Sequence, residues 1–212
     1  ATYLNAIVID VKDDSGTLSY KSEVPLALEI GSGRKKIANI SEIMSILNEK
    51  KIYPIARIVV FKDPFLAKAR PDLAVKSKHG GLWRDYKGLN WVDPHSKTVW
   101  RYVVDVAKEA AKHGFKEIQF DYVRFTSDGD LSDCLYPFAD GRKKHEVIRE
   151  FLRYAYKELK PLGVVVSADI FGLVLSVPDD LGIGQQLEEI AQEVDLICPM
   201  VYPSHYYPGT FG

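Results

Sequence analysis

Glu117 to Asp128 reads EIQFDYVRFTSD, and the fold turns on how this stretch is read. Ile118, Phe120 and Tyr122 alternate with Gln119, Asp121 and Val123, which predicts a strand. The run then carries an aspartate, an arginine and two aromatics before breaking into the polar loop Thr126-Ser127-Asp128-Gly129. A carboxylate inside an apolar strand is costly to bury unless a partner compensates it. Arg124, three residues on, is the expected partner. The end of this strand is therefore expected to be the floor of an active site, with Asp121 at its centre.

Working outward, the same alternation of short apolar runs and amphipathic segments recurs. NAIVIDV (Asn5–Val11), YPIARIVVF (Tyr53–Phe61), VVVSADIF (Val164–Phe171) and DLICPMVY (Asp195–Tyr202) read as four further strands. Helices are predicted over about 40–50, from Ser96 to His113, over 143–162 and over 184–194, with Asn39 or Ser41 and then Ser96 as caps and Gly114 as a stop. A long connection over 64–94 holds Trp83 and Trp91. Strands alternating with helices predict a parallel α/β sheet in one domain spanning 1–212. A dinucleotide fold would want GxGxxG after a strand, and Gly31-Ser32-Gly33-Arg34 does not supply it. Polar residues instead mark four strand ends: Asp10 with Lys12, Asp121 with Arg124, Asp169, and Tyr202 with His205. An active site assembled from several strand ends belongs to a (β/α)8 barrel. Five strands do not close one, so the expectation is a partial barrel.

These residues suit carboxylate chemistry. Asp121, held by Arg124, would act as nucleophile or charge stabiliser. Asp169, among Ala168, Ile170 and Phe171, would have its pKa raised and serve as general acid. The plainer alternatives are a buried Asp–Arg tie and a loop-bonding aspartate. Asp10 and Lys12, two apart, would share one face of their strand and bind substrate. Tyr202 and His205 would bind sugar hydroxyls, and Trp83 would offer a stacking platform, although a core or lid anchor explains a tryptophan equally well.

The remaining signals exclude more than they assign. With 28 basic and 29 acidic residues, whole-chain charge draws the protein to neither nucleic acid nor an anionic membrane. No apolar run approaches the ~20 residues of a membrane span. Cys134 and Cys198 lack zinc spacing, and His79, His95, His113 and His145 read as scattered surface residues, so neither metal nor cofactor is implied. No GxSxG elbow or phosphate-binding loop is present. The opening ATYLNAIVID has no charged leader. The expected location is extracellular or the cell envelope, with the cytoplasm as the alternative.

Four motifs, NAIVIDVKDDSG (5–16), QFDYVRF (119–125), SADIFG (167–172) and CPMVYPSHY (198–206), resemble the bacterial "putative glycosyl hydrolase domain" family. The resemblance covers nearly the whole chain and implies a TIM barrel related to α-amylase- and chitinase-like glycosidases, with a carbohydrate as substrate. It implies that the five strands are barrel strands 2 to 6, leaving open edges through which chains could self-associate. Chitinase-like enzymes carry DxDxE on strand 4. Here those positions are Gln119, Asp121 and Val123, so that acid is missing. The α-amylase layout is closer, with Asp121 and Asp169 in the nucleophile and acid positions, although a glutamate is usual in the second. A glycan-binding barrel without catalysis is the competing expectation.

Overall fold

Five parallel strands carry the molecule in a computed structural model that describes residues 3–202 and 209. In chain order the elements are β1 (Ala6–Lys12), α1 (Pro25–Ile30), α2 (Ile40–Glu49), β2 (Tyr53–Val59), α3 (Pro64–Ala69), β3 (Lys76–Ser77), α4 (Lys97–His113), β4 (Glu117–Asp121), β5 (Cys134–Leu135), α5 (Lys144–Leu159), β6 (Val165–Phe171), α6 (Leu187–Ile190) and β7 (Leu196–Met200). The main sheet runs β1-β2-β4-β6-β7, every neighbour parallel. The order follows the chain without reversal. A doubly wound sheet reverses at a switch point and so places helices on both faces. A one-way order puts successive crossovers on one side. Accordingly α2 packs on α4, α4 on α5 and α5 on α6.

The helices form where the sequence signals them. Asn39 caps α2 by accepting from the Glu42 N–H at 3.2 Å. Ser96 caps α4 at the Val99 N–H, and Gly114 ends it with φ 106°. Val103, Val106 and Ala110 of α4 and Val147, Phe151 and Leu152 of α5 lie on the buried stripes. Phe151 meets Phe61 and Phe120 edge-on, with ring centroids 5.3 and 5.6 Å apart. This side of the sheet is the core.

The other face is polar at several rungs. Asp10 pairs with Arg57 across β1–β2, and Arg57 with Gln119 across β2–β4. Ser167 of β6 donates to Glu117 Oε1 at 2.6 Å. Among the described residues β7 pairs only with β6 and presents a free edge, whereas β1 pairs with β2 and is bridged at its C-terminal end by Leu18 opposite Lys12 and by the Ser19 N–H on the Val11 carbonyl at 2.9 Å, so only its N-terminal part is free.

Three expectations change at this level. Asp10 and Lys12 do not share a face, because the β1–β2 register shifts between them: Asp10 lies opposite Arg57, but Lys12 lies opposite Ile58. A bulge moves every later side chain to the other side of the strand. Lys12 is fully buried, 2.9 Å from Asp63 Oδ2, and donates to the Val59 carbonyl at 2.7 Å. It does not line the site. Trp83 is not a stacking platform either. It is buried, and its indole N–H donates to the Asp130 carbonyl at 2.8 Å, tying the 64–94 connection to the loop after β4. The ribbon of β3 against β5 reinforces that tie. His95 is buried as well, with Nδ1 2.7 Å from Asp93 Oδ1.

Candidate active site

The polar face opens at the C-terminal ends of the strands into a cavity of about 640 Å3. Arg57, Gln119, Asp121, Tyr122, Arg124, Asp169, Phe171 and Tyr202 are among its walls. Asp121 ends β4 and Asp169 lies on neighbouring β6. The rung below them pairs Phe120 with Ala168, so the two carboxylates stand at the same level, their backbones about 5 Å apart as adjacent strands require.

Asp121 is buried and surrounded by donors. Its Oδ2 accepts from Nε of Arg57 at 3.0 Å and from a second nitrogen of the same guanidinium. Its Oδ1 accepts the Tyr122 backbone N–H at 2.6 Å. All three contacts are donated to the carboxylate, two of them from a charged group. Arg57 also reaches Asp10, with Nη1 2.7 Å from Oδ1. Burial works against the Arg57 charge, but the Asp10 hydrogen bond and the Asp121 charge outweigh it and hold the guanidinium above its ordinary value. Arg57 thus bridges two carboxylates.

Asp169 lives in the opposite environment. Burial pushes its carboxyl up to about 7, and the charge of Asp121 adds to the shift. The Gln119 amide donates to Oδ1 at 2.6 Å, which opposes the shift without cancelling it. One carboxylate is clamped by a cation and its neighbour holds a proton near neutrality. Two neighbouring carboxyl groups in such unlike surroundings can divide the acid role from the charge-stabilising one.

Arg124 is not the partner of Asp121. The strand ends at Asp121, and Tyr122 adopts a left-handed conformation with φ 49°, so the chain leaves the sheet direction before Arg124. Val123 is buried in the core, away from the cavity. Arg124 still reaches the cavity wall, stacked among aromatic rings. Asp10 is half-exposed and touches the site through Arg57. Tyr202 lines the cavity. His205 lies outside the described residues. Of the residues expected from sequence, Asp121, Asp169, Arg124 and Tyr202 therefore meet at one cavity, while Lys12 and Trp83 do not.

Arg57 and Gln119 were not foreseen in these roles. Arg57 had a signal: it is the only charged residue within YPIARIVVF, an otherwise apolar run. Gln119 had a weaker one, two residues before Asp121 and so on the same face of the strand.

The sequence is 42% identical to a hypothetical protein from Ruminiclostridium thermocellum ATCC 27405, whose crystal structure superposes with a TM-score of 0.73 over 86% of each chain. The fold is also similar to an α-amylase from Lactobacillus plantarum, with TM-score 0.59 and 14% identity over 91% of this chain and 44% of the amylase. An exo-β-N-acetylglucosaminidase from Vibrio harveyi superposes with TM-score 0.56 and 16% identity over 78% of this chain and 30% of that enzyme. At such identities the likeness concerns fold, and it assigns the five-stranded parallel sheet to an incomplete TIM-barrel-like architecture. No curated protein matches the sequence. A family model matches residues 1–212, and the chain belongs to the family described as "Putative glycosyl hydrolase domain".

Proposed function

We propose that the protein hydrolyses a glycosidic bond, with Asp169 as general acid and Asp121 as the carboxylate facing the anomeric carbon. Asp169 gives its proton to the leaving oxygen as the C–O bond breaks. Asp121, clamped by Arg57, stabilises or captures the positive charge that develops on the sugar, and a water molecule then adds to that carbon, releasing Asp121 and returning a proton to Asp169. Gln119 orients Asp169, and Tyr202 offers a hydroxyl to the sugar ring. The observation that carries this reading is the pair itself: a carboxyl raised to about 7 beside a carboxylate held by a guanidinium, both on one cavity.

The test is release of reducing ends from a panel of oligosaccharides and polysaccharides. Turnover is expected for the wild type and is expected to vanish in Asp121→Asn with circular dichroism and Tm preserved. Wild-type-like turnover in that variant would remove Asp121 from the mechanism. Glycan binding with no turnover in the wild type would leave a carbohydrate-binding barrel in place of an enzyme.

A further inference from the structure

Arg124 is a buried cation that no carboxylate among the described residues holds. It is 6% exposed, yet it lines the cavity. Nη1 donates to the Phe125 carbonyl at 2.9 Å and to Ser127 Oγ at 3.0 Å. Those two acceptors are neutral and use only one of the three guanidinium nitrogens. Among the described residues Arg124 makes no ion pair, and Asp128, Asp121 and Asp85 act on its charge only through space. Arg57, the other guanidinium in the wall, faces two carboxylates.

Three aromatic rings crowd the group. Its Cζ lies 4.7 Å from the Phe171 ring centroid, 5.0 Å from that of Trp91 and 5.2 Å from that of Tyr122. The guanidinium is planar by conjugation, and rings this close shield its faces from water, leaving the nitrogen edge as its route to a partner. Burial disfavours the charged form and pulls the group below its ordinary value, so an unpaired cation here is costly. A bound oxyanion would remove that cost through two parallel N–H···O contacts. Both Tyr122 and Phe171 sit beside the carboxylates, one residue past Asp121 and two past Asp169.

We propose that the site takes an acidic glycan, and that Arg124 binds an oxyanion substituent on the sugar at the cleavage point. This rests on the glycosidase reading only for the position of the sugar, since the binding contact exists with or without hydrolysis. A uronate, a lactyl-type carboxylate and a sulfate ester share the needed chemistry, and separate probes tell them apart.

The experiment measures calorimetric affinity of the intact chain for an oligogalacturonate, a muramic-acid-containing oligosaccharide and a sulfated oligosaccharide. Each is paired with its carboxyl-reduced or desulfated counterpart. At least one acidic probe is expected to bind the wild type about tenfold or more tightly than its neutral counterpart. That preference is expected to disappear in Arg124→Gln and to be only partly kept in Arg124→Lys, which retains charge without the fork. Equal affinity of the wild type for acidic and neutral members of every pair overturns the proposal, as does the absence of binding to every acidic probe. The wild-type comparison needs no variant, so misfolding of Arg124→Gln cannot obscure it. Acid preference without turnover keeps this contact and removes the hydrolase reading. Turnover of neutral glycans without acid preference does the reverse.

Discussion

Burial at Asp169 costs stability, a cost that the general-acid role proposed for it would explain. Its ordinary value is 3.8, and in the folded chain it stands at about 7. Between these values the unfolded chain gives up the proton while the folded chain keeps it, so stability falls as pH rises through that window and the full penalty is present above about 7. Three units correspond to roughly 4 kcal/mol. Asparagine cannot ionise, and its Oδ1 can still accept from Gln119. Asp169→Asn is therefore expected to raise Tm relative to wild type at about pH 8 and to leave it little changed at about pH 4, while lowering kcat by about a hundredfold or more. Thermal scans at the two pH values check the first part. A variant no more stable than wild type at the higher pH would show that burial does not penalise this carboxylate. For the wild type, kcat is expected to fall as pH rises through about 7, because the proposed acid, Asp169, must carry its proton.

At the level of elements, β1 and the segment after it show how a bulge redirects chemistry. Lys12 leaves the polar face and enters a buried pair with Asp63, which also caps α3 by accepting the Leu66 N–H at 2.7 Å. Gly16 packs over this pair with φ 81°, where an added Cβ would lie 1.9 Å from Asp63 Oδ1. Gly16→Ala must displace Asp63, losing the cap and stranding Lys12. The expected cost is about 3 kcal/mol or more by urea unfolding. Gly31, the αL cap of α1 at φ 67°, has open space around its missing Cβ, and Gly31→Ala is expected to cost only about 1 kcal/mol. Equal losses at the two sites would mean that backbone conformation, not the Asp63 pair, sets the cost. The strands and the helices of the main sheet were legible as periodic runs with caps. The bulge was not, because a shift of one residue leaves composition and alternation nearly intact while reversing which side chain faces the site.

Across the described residues, one-way strand order gathers the helices on one side and leaves the polar face, the edge of β7 and the N-terminal part of the β1 edge open. Among the described residues β7 keeps an unpaired outer edge and β1 does so only ahead of Asp10, since Ser19 bonds the Asp10 and Val11 carbonyls, and Leu4 and Leu196 are about half-exposed beside these open stretches. We propose that these edges drive association between copies. Sedimentation velocity is expected to show a sedimentation coefficient that rises with concentration. The double variant Leu4→Lys/Leu196→Lys should suppress that rise, since edge lysines oppose strand addition. Its stability should stay within about 0.5 kcal/mol of wild type, as for other surface changes. A wild type monomeric at every concentration would set the idea aside. No helix among the described residues is long and apolar enough to cross a membrane.

Sequence alone carried the alternation of strands and helices, the polar strand ends and the place of Asp121 and Asp169 among them, because burial periodicity and unpaired polarity are local properties of the chain. The partnerships were decided in three dimensions. Arg57 is 64 residues from the aspartate it clamps, and only the pairing of β2 with β4 brings them together. Arg124, three residues away, is turned aside by one left-handed backbone step at Tyr122. Nearness along a chain does not fix the direction in which a side chain points. That direction depends on register, bulges and turns, which are settled by packing against distant residues.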